Sequence, residues 1–181
     1  MMNMTILVDM DDTLVGLLPA WITFLNEKHA LNVKLEEVTE WDMRKAFPSL
    51  TDKEIYGPLE TEDFWDSVVP LPYARTYLQK LVEEGHKIKV CTASHHNTVA
   101  PKLNRALFPY FNFIGYKDVI ICSDKHLIKG DMIIDDGPHN LKDFKGFRFL
   151  IDAPHNQDAD PESYDYRVKN LKDVYNWFHS T

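Results

Sequence analysis

The chain has 181 residues and a net charge of −8, and 44% of its residues are hydrophobic, a composition typical of a folded globular protein and not of a disordered or fibrous one. The excess of 28 acidic over 20 basic residues argues against duplex DNA as a general partner, because phosphate contacts need clustered lysine and arginine. No stretch approaches the roughly 20 apolar residues of a membrane span, and no signal peptide is visible. Both cysteines end apolar runs and are expected to be reduced, which favours a cytoplasmic location.

Short, uninterrupted apolar runs predict buried strands, since strands that are covered on both faces lack polar alternation. These runs span residues 5–8, 88–91, 119–122, 132–134 and 147–151. Apolar residues at helical spacing predict helices over 17–30, 72–84, 98–108 and 171–178. Strands that alternate with helices predict an α/β fold, a Rossmann-like parallel sheet with helices on both faces.

The interval after the first strand breaks this alternation. About 60 residues separate that strand from the next helix–strand pair, far more than one crossover helix needs. The interval contains its own amphipathic helix and several aromatic residues punctuated by prolines. We therefore predict a core domain made of residues 1–15 and 72–181, and a small helical insert over residues 16–71.

Polar side chains follow the predicted strands where each strand ends. Ligands of open parallel sheets bind at the carboxyl ends of the strands, so we expect these side chains to converge on one edge. They are Asp9, Asp11 and Thr13 after the first strand, Thr92 and Ser94 after the second, Lys125 after the third, and Asp135 and Asp136 after the fourth.

Clustered carboxylates repel one another and would shift to their neutral forms without a cation. Oxygen-only ligands suit Mg²⁺, which takes one or two carboxylates, several waters and substrate phosphate. A lysine and a backbone N–H turn after Thr92 would hold phosphate oxygens. An aspartate can attack phosphorus as a nucleophile, and a second carboxylate two residues later, Asp11, could protonate the leaving oxygen.

Each of these features alone has a structural explanation. Asp-x-Asp-x-Thr could be a strand-end turn, Asp135 to Gly137 an Asp-Gly turn, Thr92 a helix cap and Lys125 a solvated lysine. Their occurrence together at four strand ends of one chain favours a phosphate site.

In these residues and their spacing, the chain resembles the haloacid dehalogenase (HAD) superfamily over nearly its whole length. The first motif of that superfamily is matched by ILVDMDDTL at 6–14, the second by IKVCT at 88–92, the third by Lys125 and the fourth by MIIDDGP at 132–138. Within the superfamily it is similar to the 5′(3′)-deoxyribonucleotidase group, through DFWDSVVPLPYA at 63–74, the SDK…IIDDGPHN block at 123–140 and LIDAPHN at 150–156.

The resemblance implies catalytic and metal-binding roles. Asp9 would be the nucleophile and a magnesium ligand, and Asp11 the general acid and base, with its backbone carbonyl on the metal. Asp136 would be the third protein ligand, with Asp135 as a further ligand or as its supporting neighbour. Asp12 has no catalytic role in this scheme, since the superfamily does not require an acid there.

The resemblance also implies substrate contacts. Thr92 and Lys125 would bind phosphate, helped by backbone N–H groups of Met10, Asp11 and Ala93. The insert would be a cap that selects the substrate, with Leu17 and Trp41 against the nucleobase. Leu17 departs from the pattern of the group, which often has aromatic residues at both places, so the base preference stays open.

The resemblance therefore implies a Mg²⁺-dependent phosphatase that hydrolyses ribonucleoside and deoxyribonucleoside monophosphates through an aspartyl-phosphate, with no membrane partner. The 5′ esters are the expected substrates, and the cleavage of 3′ esters and the formation of a homodimer stay open. One alternative is a phosphatase for another small metabolite, such as a sugar phosphate. A phospho-accepting receiver domain also uses clustered aspartates, a threonine and a lysine, but the long insert and the late Asp135–Asp136 pair argue against it. A catalytically silent nucleotide-binding protein is a third alternative.

Overall fold

The computed structural model describes residues 3–180. Its centre is a six-stranded sheet in which all neighbouring strands are parallel. The strands are β1 (Thr5–Val8), β2 (Lys87–Thr92), β3 (Val119–Ile121), β4 (Met132–Asp135), β5 (Phe147–Ile151) and β6 (Tyr166–Val168). They lie in the order β3-β2-β1-β4-β5-β6. This confirms the predicted Rossmann-like α/β fold.

Helices cover both faces of the sheet. They are α1 (Leu17–His29), α2 (Met43–Ala46), α3 (Asp52–Tyr56), α4 (Glu62–Trp65), α5 (Ala74–Glu83), α6 (His96–Lys102), α7 (Pro138–Leu141) and α8 (Leu171–Phe178). Alternate residues of β1 point to opposite faces, as the pleat of a strand requires. Ile6 and Val8 join the larger apolar cluster, which includes residues of α1, α5 and α8, whereas Leu7 joins a smaller cluster with Leu141 of α7.

Residues 16–71 contain α1 to α4 together with two short 3₁₀ helices, Leu35–Glu37 and Gly57–Glu60. The apolar stripe of α1 is buried, and α1 ends where Ala30 takes the left-handed conformation with φ of 53°. The N-terminus of α3 is fixed by Thr51 and Glu54, each of which bonds the backbone N–H of the other. Buried aromatic side chains continue the larger cluster of the sheet into this segment, among them Phe47, Phe64 and Trp65.

The direction in which successive strands are added to the sheet reverses between β1 and β4. From β1 the chain proceeds to β2 and β3 on one side, and from β4 to β5 and β6 on the other. The loops after two such strands diverge, which leaves a crevice at their carboxyl ends. Asp9 follows β1, whereas Asp135 ends β4 and Asp136 follows it, so these three residues border the crevice.

Several boundaries differ from the prediction. The helix predicted over 72–84 begins at Ala74, because Tyr73 has a φ of 70°. The helix predicted over 98–108 begins at His96 and changes to a π-helix over Leu103–Leu107. Pro101 lies inside α6, where its missing N–H removes one bond of the helical ladder. The run predicted over 119–122 ends at Ile121, without Cys122.

Strand β6 was not predicted. It has three residues, Tyr166–Val168, at one edge of the sheet, and none of them is buried. Such a segment has no apolar run to reveal it, because its pairing with β5 depends on a neighbour distant in sequence. Among residues 3–180, no helix combines the length and the apolar character needed to cross a membrane.

Candidate active site

The loop after β1 is held in a tight turn. The N–H of Asp9 donates to the carbonyl of Ile134 on β4 at 2.9 Å, and the N–H groups of Leu14 and Val15 both donate to the carbonyl of Met10. The first of these bonds anchors Asp9 to the sheet, and the other two close the turn around Asp11. The position of Asp9 is therefore fixed by two strands.

Asp12 has a structural task in this turn. Its φ is 54°, a left-handed conformation that aspartate tolerates better than most residues. Its Oδ1 accepts a 2.9 Å hydrogen bond from the N–H of Leu18, in the first turn of α1. Gly16, which precedes α1, offers no side chain for this purpose. The side chain of Asp12 thus caps α1, in keeping with the expectation that it takes no part in chemistry.

Three carboxylates meet in the crevice. Asp9, Asp135 and Asp136 are 6%, 1% and 3% exposed, and each offers an oxygen within 4.8 Å of the other two. Burial raises the pKa of Asp135 to about 6, with the nearby charge of Asp9 adding to the effect. Burial also raises the pKa of Asp136 well above its ordinary value, and the charges of Asp9 and Asp135 add to it. A cation at this point would favour the ionised forms.

Lys125 lies between two of these carboxylates. Its ammonium donates to Asp9 Oδ1 and, at 2.6 Å, to Asp135 Oδ2. The lysine is 2% exposed; burial lowers its pKa, but the charges of Asp9 and Asp135 outweigh that and leave the pKa raised. It enters from the 3₁₀ turn Lys125–Leu127 beyond β3. This position agrees with the prediction that Lys125 reaches the same edge of the sheet as Asp9.

The two neighbouring aspartates after β4 differ in their partners. Asp135 Oδ1 accepts from the N–H of Gly137 at 2.8 Å and from Asn140 Nδ2 at 3.0 Å, and its Oδ2 accepts from Lys125. The carboxylate of Asp136 has one hydrogen-bond partner within residues 3–180, the His155 ring, on Oδ2. Asp136 therefore keeps an oxygen for a further ligand, whereas both oxygens of Asp135 are engaged.

A buried lysine that the sequence reasoning missed connects two predicted site residues. Lys102 is 2% exposed, and its ammonium donates to Asp11 Oδ2 at 2.5 Å and to Thr92 Oγ1 at 2.7 Å. The other oxygen of Asp11, Oδ1, is buried without a hydrogen-bond partner among the described residues. Burial raises the pKa of Asp11, although the charge of Lys102 opposes the shift. A raised pKa suits a carboxyl group that must carry a proton.

A signal for Lys102 was present in the sequence. Position 102 is three residues after Val99 and four before Ala106, which places a lysine on the apolar face of the predicted helix. Lysine is almost never fully buried without a partner. Such a lysine at the end of α6 should have been expected to pair with a carboxylate.

The remaining predicted residues lie around this centre. Thr92 is fully buried at the end of β2, and Ala93 follows it with an exposed side chain. Leu17 and Trp41 line one cavity of about 210 Å³, together with Asp11, Leu18, Met43 and His155. Trp41 is 52% exposed. The structure thus places the two predicted pocket residues, one aliphatic and one aromatic, in one cavity with Asp11 and His155.

Comparison with known proteins gives a consistent result. The family model described as 5′ nucleotidase, deoxy (pyrimidine), cytosolic type C protein matches residues 3–180. A 5′(3′)-deoxyribonucleotidase of Bacillus subtilis is 31% identical over 173 residues, 96% of this chain and 97% of the relative. A 5′(3′)-deoxyribonucleotidase of Clostridium acetobutylicum is 32% identical over 155 residues, 84% of each chain.

Among solved structures, a HAD family hydrolase from Deinococcus radiodurans superposes with a TM-score of 0.66 at 12% identity, over 97% of this chain and 95% of that one. A HAD-like hydrolase from Streptococcus pneumoniae gives a TM-score of 0.63 at 13% identity, over 97% and 98% of the two chains. At this level of identity the likeness concerns the fold, and it agrees with the parallel sheet described above.

Proposed function

Since the chain belongs to the 5′ nucleotidase, deoxy (pyrimidine), cytosolic type C family, we propose that it hydrolyses deoxyribonucleoside and ribonucleoside monophosphates, at 5′ and also at 3′ esters, with Mg²⁺ and through an aspartyl-phosphate. That it is a phosphoric monoester hydrolase follows from the family itself. The finer proposal rests above all on one observation: three buried carboxylates within 4.8 Å of one another, on the rim that also carries Asp11, Thr92 and Lys102.

The donor set fits a divalent cation. Asp9, Asp136 and the backbone carbonyl of Asp11 would hold the ion. Asp135 would stay beside these ligands, held by its hydrogen bonds from Lys125 and the N–H of Gly137. Only oxygens are offered, which is the ligand set that Mg²⁺ prefers. The raised pKa values of Asp135 and Asp136 are what carboxylates show when positive charge is needed to keep them ionised. When bound, the ion would neutralise phosphate charge and draw the substrate toward Asp9.

The proposed reaction has two steps. A carboxylate oxygen of Asp9 attacks phosphorus in line, so a bond from Asp9 to phosphorus forms while the ester bond to the sugar oxygen breaks. Asp11 gives its proton to the departing oxygen. Asp11 then takes a proton from water, which attacks phosphorus and releases inorganic phosphate and free Asp9.

Other side chains would bind and orient the substrate. Lys125 is held at Asp9 by its ion pairs and would contact phosphate oxygens with Thr92 and the N–H of Ala93. Lys102 bridges Asp11 and Thr92 and so would align the acid with the phosphate site. Residues 16–71 would act as a cap, with the nucleobase in the cavity of Leu17 and Trp41, and its closure would exclude bulk water.

A substrate panel tests this proposal. Phosphate release would be measured for 5′ and 3′ mononucleotides, deoxymononucleotides and sugar phosphates, with Mg²⁺ and with a chelator. We expect Mg²⁺-dependent release from deoxynucleotides, abolished in Asp9→Asn. A clear preference for sugar phosphates would favour the alternative phosphatase, and activity retained in Asp9→Asn would overturn the mechanism.

A further inference from the structure

A short turn beyond β5 holds Asp136 at two points. The 3₁₀ turn Pro154–Asn156 places the His155 ring beside the carboxylate of Asp136, with Nε2 2.8 Å from Oδ2. The next residue, Asn156, donates from Nδ2 to the backbone carbonyl of Asp136 at 2.8 Å and to the carbonyl of Ile151 at 2.7 Å. Consecutive residues of one turn therefore fix both the side chain and the main chain of Asp136.

This contact is buried and specific. The side chains of His155 and Asp136 are 3% and 4% exposed, and Asn156 is 2% exposed. An ionised carboxylate only accepts hydrogen bonds, so Nε2–H of His155 donates to Oδ2 and leaves the other oxygen of Asp136 for a ligand. Carboxylates that bind metals are themselves oriented by hydrogen bonds of this kind. The histidine fixes the rotation of the carboxylate.

The other face of His155 is covered by a residue from a different part of the chain. Trp41, within residues 16–71, has its ring centroid 4.0 Å from that of His155, and 5.7 Å from that of His139. Trp41 is half exposed, so its indole is partly in contact with solvent. The indole, the imidazole and the carboxylate thus form a continuous chain of contacts from the helical segment to the acidic centre.

We propose that His155 is a positioning residue that holds Asp136 for the metal ion, and that Trp41 acts on Asp136 through His155, so that the placement of residues 16–71 and metal affinity are coupled. This inference rests on the proposed role of Asp136 as a metal ligand. It assigns to Trp41 a task besides contact with the substrate. Because coupling is reciprocal, metal binding also favours the position of Trp41 that covers His155.

The test measures Mg²⁺ affinity by calorimetry without substrate. We expect His155→Leu to weaken Mg²⁺ binding about 10-fold or more, the range typical of groups that orient metal ligands. His155→Gln keeps an N–H donor at similar reach and should recover most of that loss. His179→Leu removes a histidine that contacts Tyr175, through its carbonyl and its ring, and Glu84, and should leave the affinity unchanged.

The route through His155 is tested by a double-mutant cycle. Trp41→Leu should weaken Mg²⁺ binding in the wild-type background and have no further effect in the His155→Leu background. Additive effects of the two substitutions would overturn the coupling. A His155→Leu variant that folds and binds Mg²⁺ as the wild type does would overturn the positioning role, and so would equal losses in His155→Leu and His155→Gln.

The same experiment separates this inference from the proposed function. If the wild type binds Mg²⁺ and the variants follow the expected pattern, the positioning role stands even when no nucleotide of the panel is hydrolysed. If the wild type hydrolyses nucleotides but the effects of the two substitutions are additive, the proposed function is supported and the coupling between Trp41 and Asp136 is overturned. Failure of the wild type to bind Mg²⁺ would overturn the positioning role directly.

Discussion

The ammonium of Lys102 donates a 2.5 Å hydrogen bond to Oδ2 of Asp11, the residue proposed to carry the proton. Lysine and aspartate are 91 positions apart in sequence. They come from the segments that follow β2 and β1, which are neighbouring parallel strands. The same ammonium reaches Thr92. Loss of this lysine should therefore disturb acid catalysis and phosphate binding together.

Lys102→Met keeps most of the apolar stem of the side chain but removes its charge. We expect kcat to fall about 100-fold, the lower end of what general acid–base groups contribute, because Asp11 loses the partner that orients it. Steady-state kinetics with a deoxynucleotide would measure this. Lys89→Met, which removes a lysine bonded to Lys117 O and Asp118, is the matched control and should keep its kcat. A folded Lys102→Met variant with normal kcat would show that Lys102 does not orient Asp11 for catalysis.

Asp136→Asn should stabilise the protein in a chelator. Burial and the charges of Asp9 and Asp135 raise the pKa of Asp136 in the folded state. A carboxyl with a raised folded-state pKa disfavours folding above its unfolded pKa, so a neutral amide relieves that cost. We expect a gain of about 1 kcal/mol in the free energy of unfolding, the size that single stabilising substitutions commonly give.

Mg²⁺ should reverse this order of stability. Ligand that binds only the folded state stabilises it by RT ln(1 + [L]/Kd), so the wild type should gain stability as Mg²⁺ is added. The Asp136→Asn variant should gain much less, because its side chain carries no charge and, with the amide oxygen accepting from His155, presents an NH₂ group to the ion. Chemical denaturation at several Mg²⁺ concentrations checks both predictions. Parallel Mg²⁺ dependence of the two proteins would argue against Asp136 as a ligand.

Leu17→Ala should weaken recognition of the nucleoside. Leu17 lines the cavity beside Asp11, and the loss of its apolar contact should raise KM for deoxynucleotides about 10-fold, as expected for an apolar pocket that loses methylene groups. The KM for a small phosphate ester without a base should change little. Val69→Ala, at a valine that is 53% exposed, is the control. Equal effects on both substrates would place Leu17 outside the base pocket.

His86, which lies away from the active site, should make the stability of the protein depend on pH. Its Nδ1 accepts from the N–H of Met4 at 3.2 Å, its ring lies 4.6 Å from Phe178, and its Nε2 is buried without a hydrogen-bond partner among the described residues. Burial lowers its pKa from the ordinary 6.5, the charge of His179 adds, and Glu84 opposes the shift. The neutral ring is thus the form that the fold accommodates.

A lowered folded-state pKa means that the unfolded chain binds more protons just below pH 6.5. The contribution of His86 to stability is therefore present above that pH and is lost as the pH falls through the folded pKa. His86→Asn keeps an acceptor for Met4 but does not titrate, so its free energy of unfolding should fall less steeply with acid than that of the wild type. Identical slopes in urea unfolding at several pH values would contradict this prediction.

Local patterns predicted the centre of the fold well. Strands β1 and β5 and helix α8 have the predicted bounds, because buried apolar runs and a clear helical stripe determine them. The convergence of Asp9, Thr92, Lys125 and Asp135 follows from the rule that parallel strands share an edge for their carboxyl ends. The three short helices α2, α3 and α4 do not follow from local patterns in this way, since they have only four or five residues each.

What the sequence could not supply were contacts between distant segments. No local sequence pattern indicates that Lys102 contacts Asp11 or that His155 contacts Asp136. Both contacts join segments that meet only in the folded protein. The sequence also left open whether Asp135 or Asp136 is the direct ligand. The partners of Asp135 favour Asp136 for that role, by occupying both oxygens of Asp135.

The most direct test of the central claim is detection of a phosphoryl group on Asp9. Asp11→Asn with p-nitrophenyl phosphate is the suitable pairing, because this leaving group needs no acid while hydrolysis of the intermediate needs a base. After a rapid acid quench, mass spectrometry should show one phosphoryl group on the peptide that contains Asp9, in step with a burst of one nitrophenolate per molecule. A stoichiometric burst without phosphorylation of Asp9 would contradict the account.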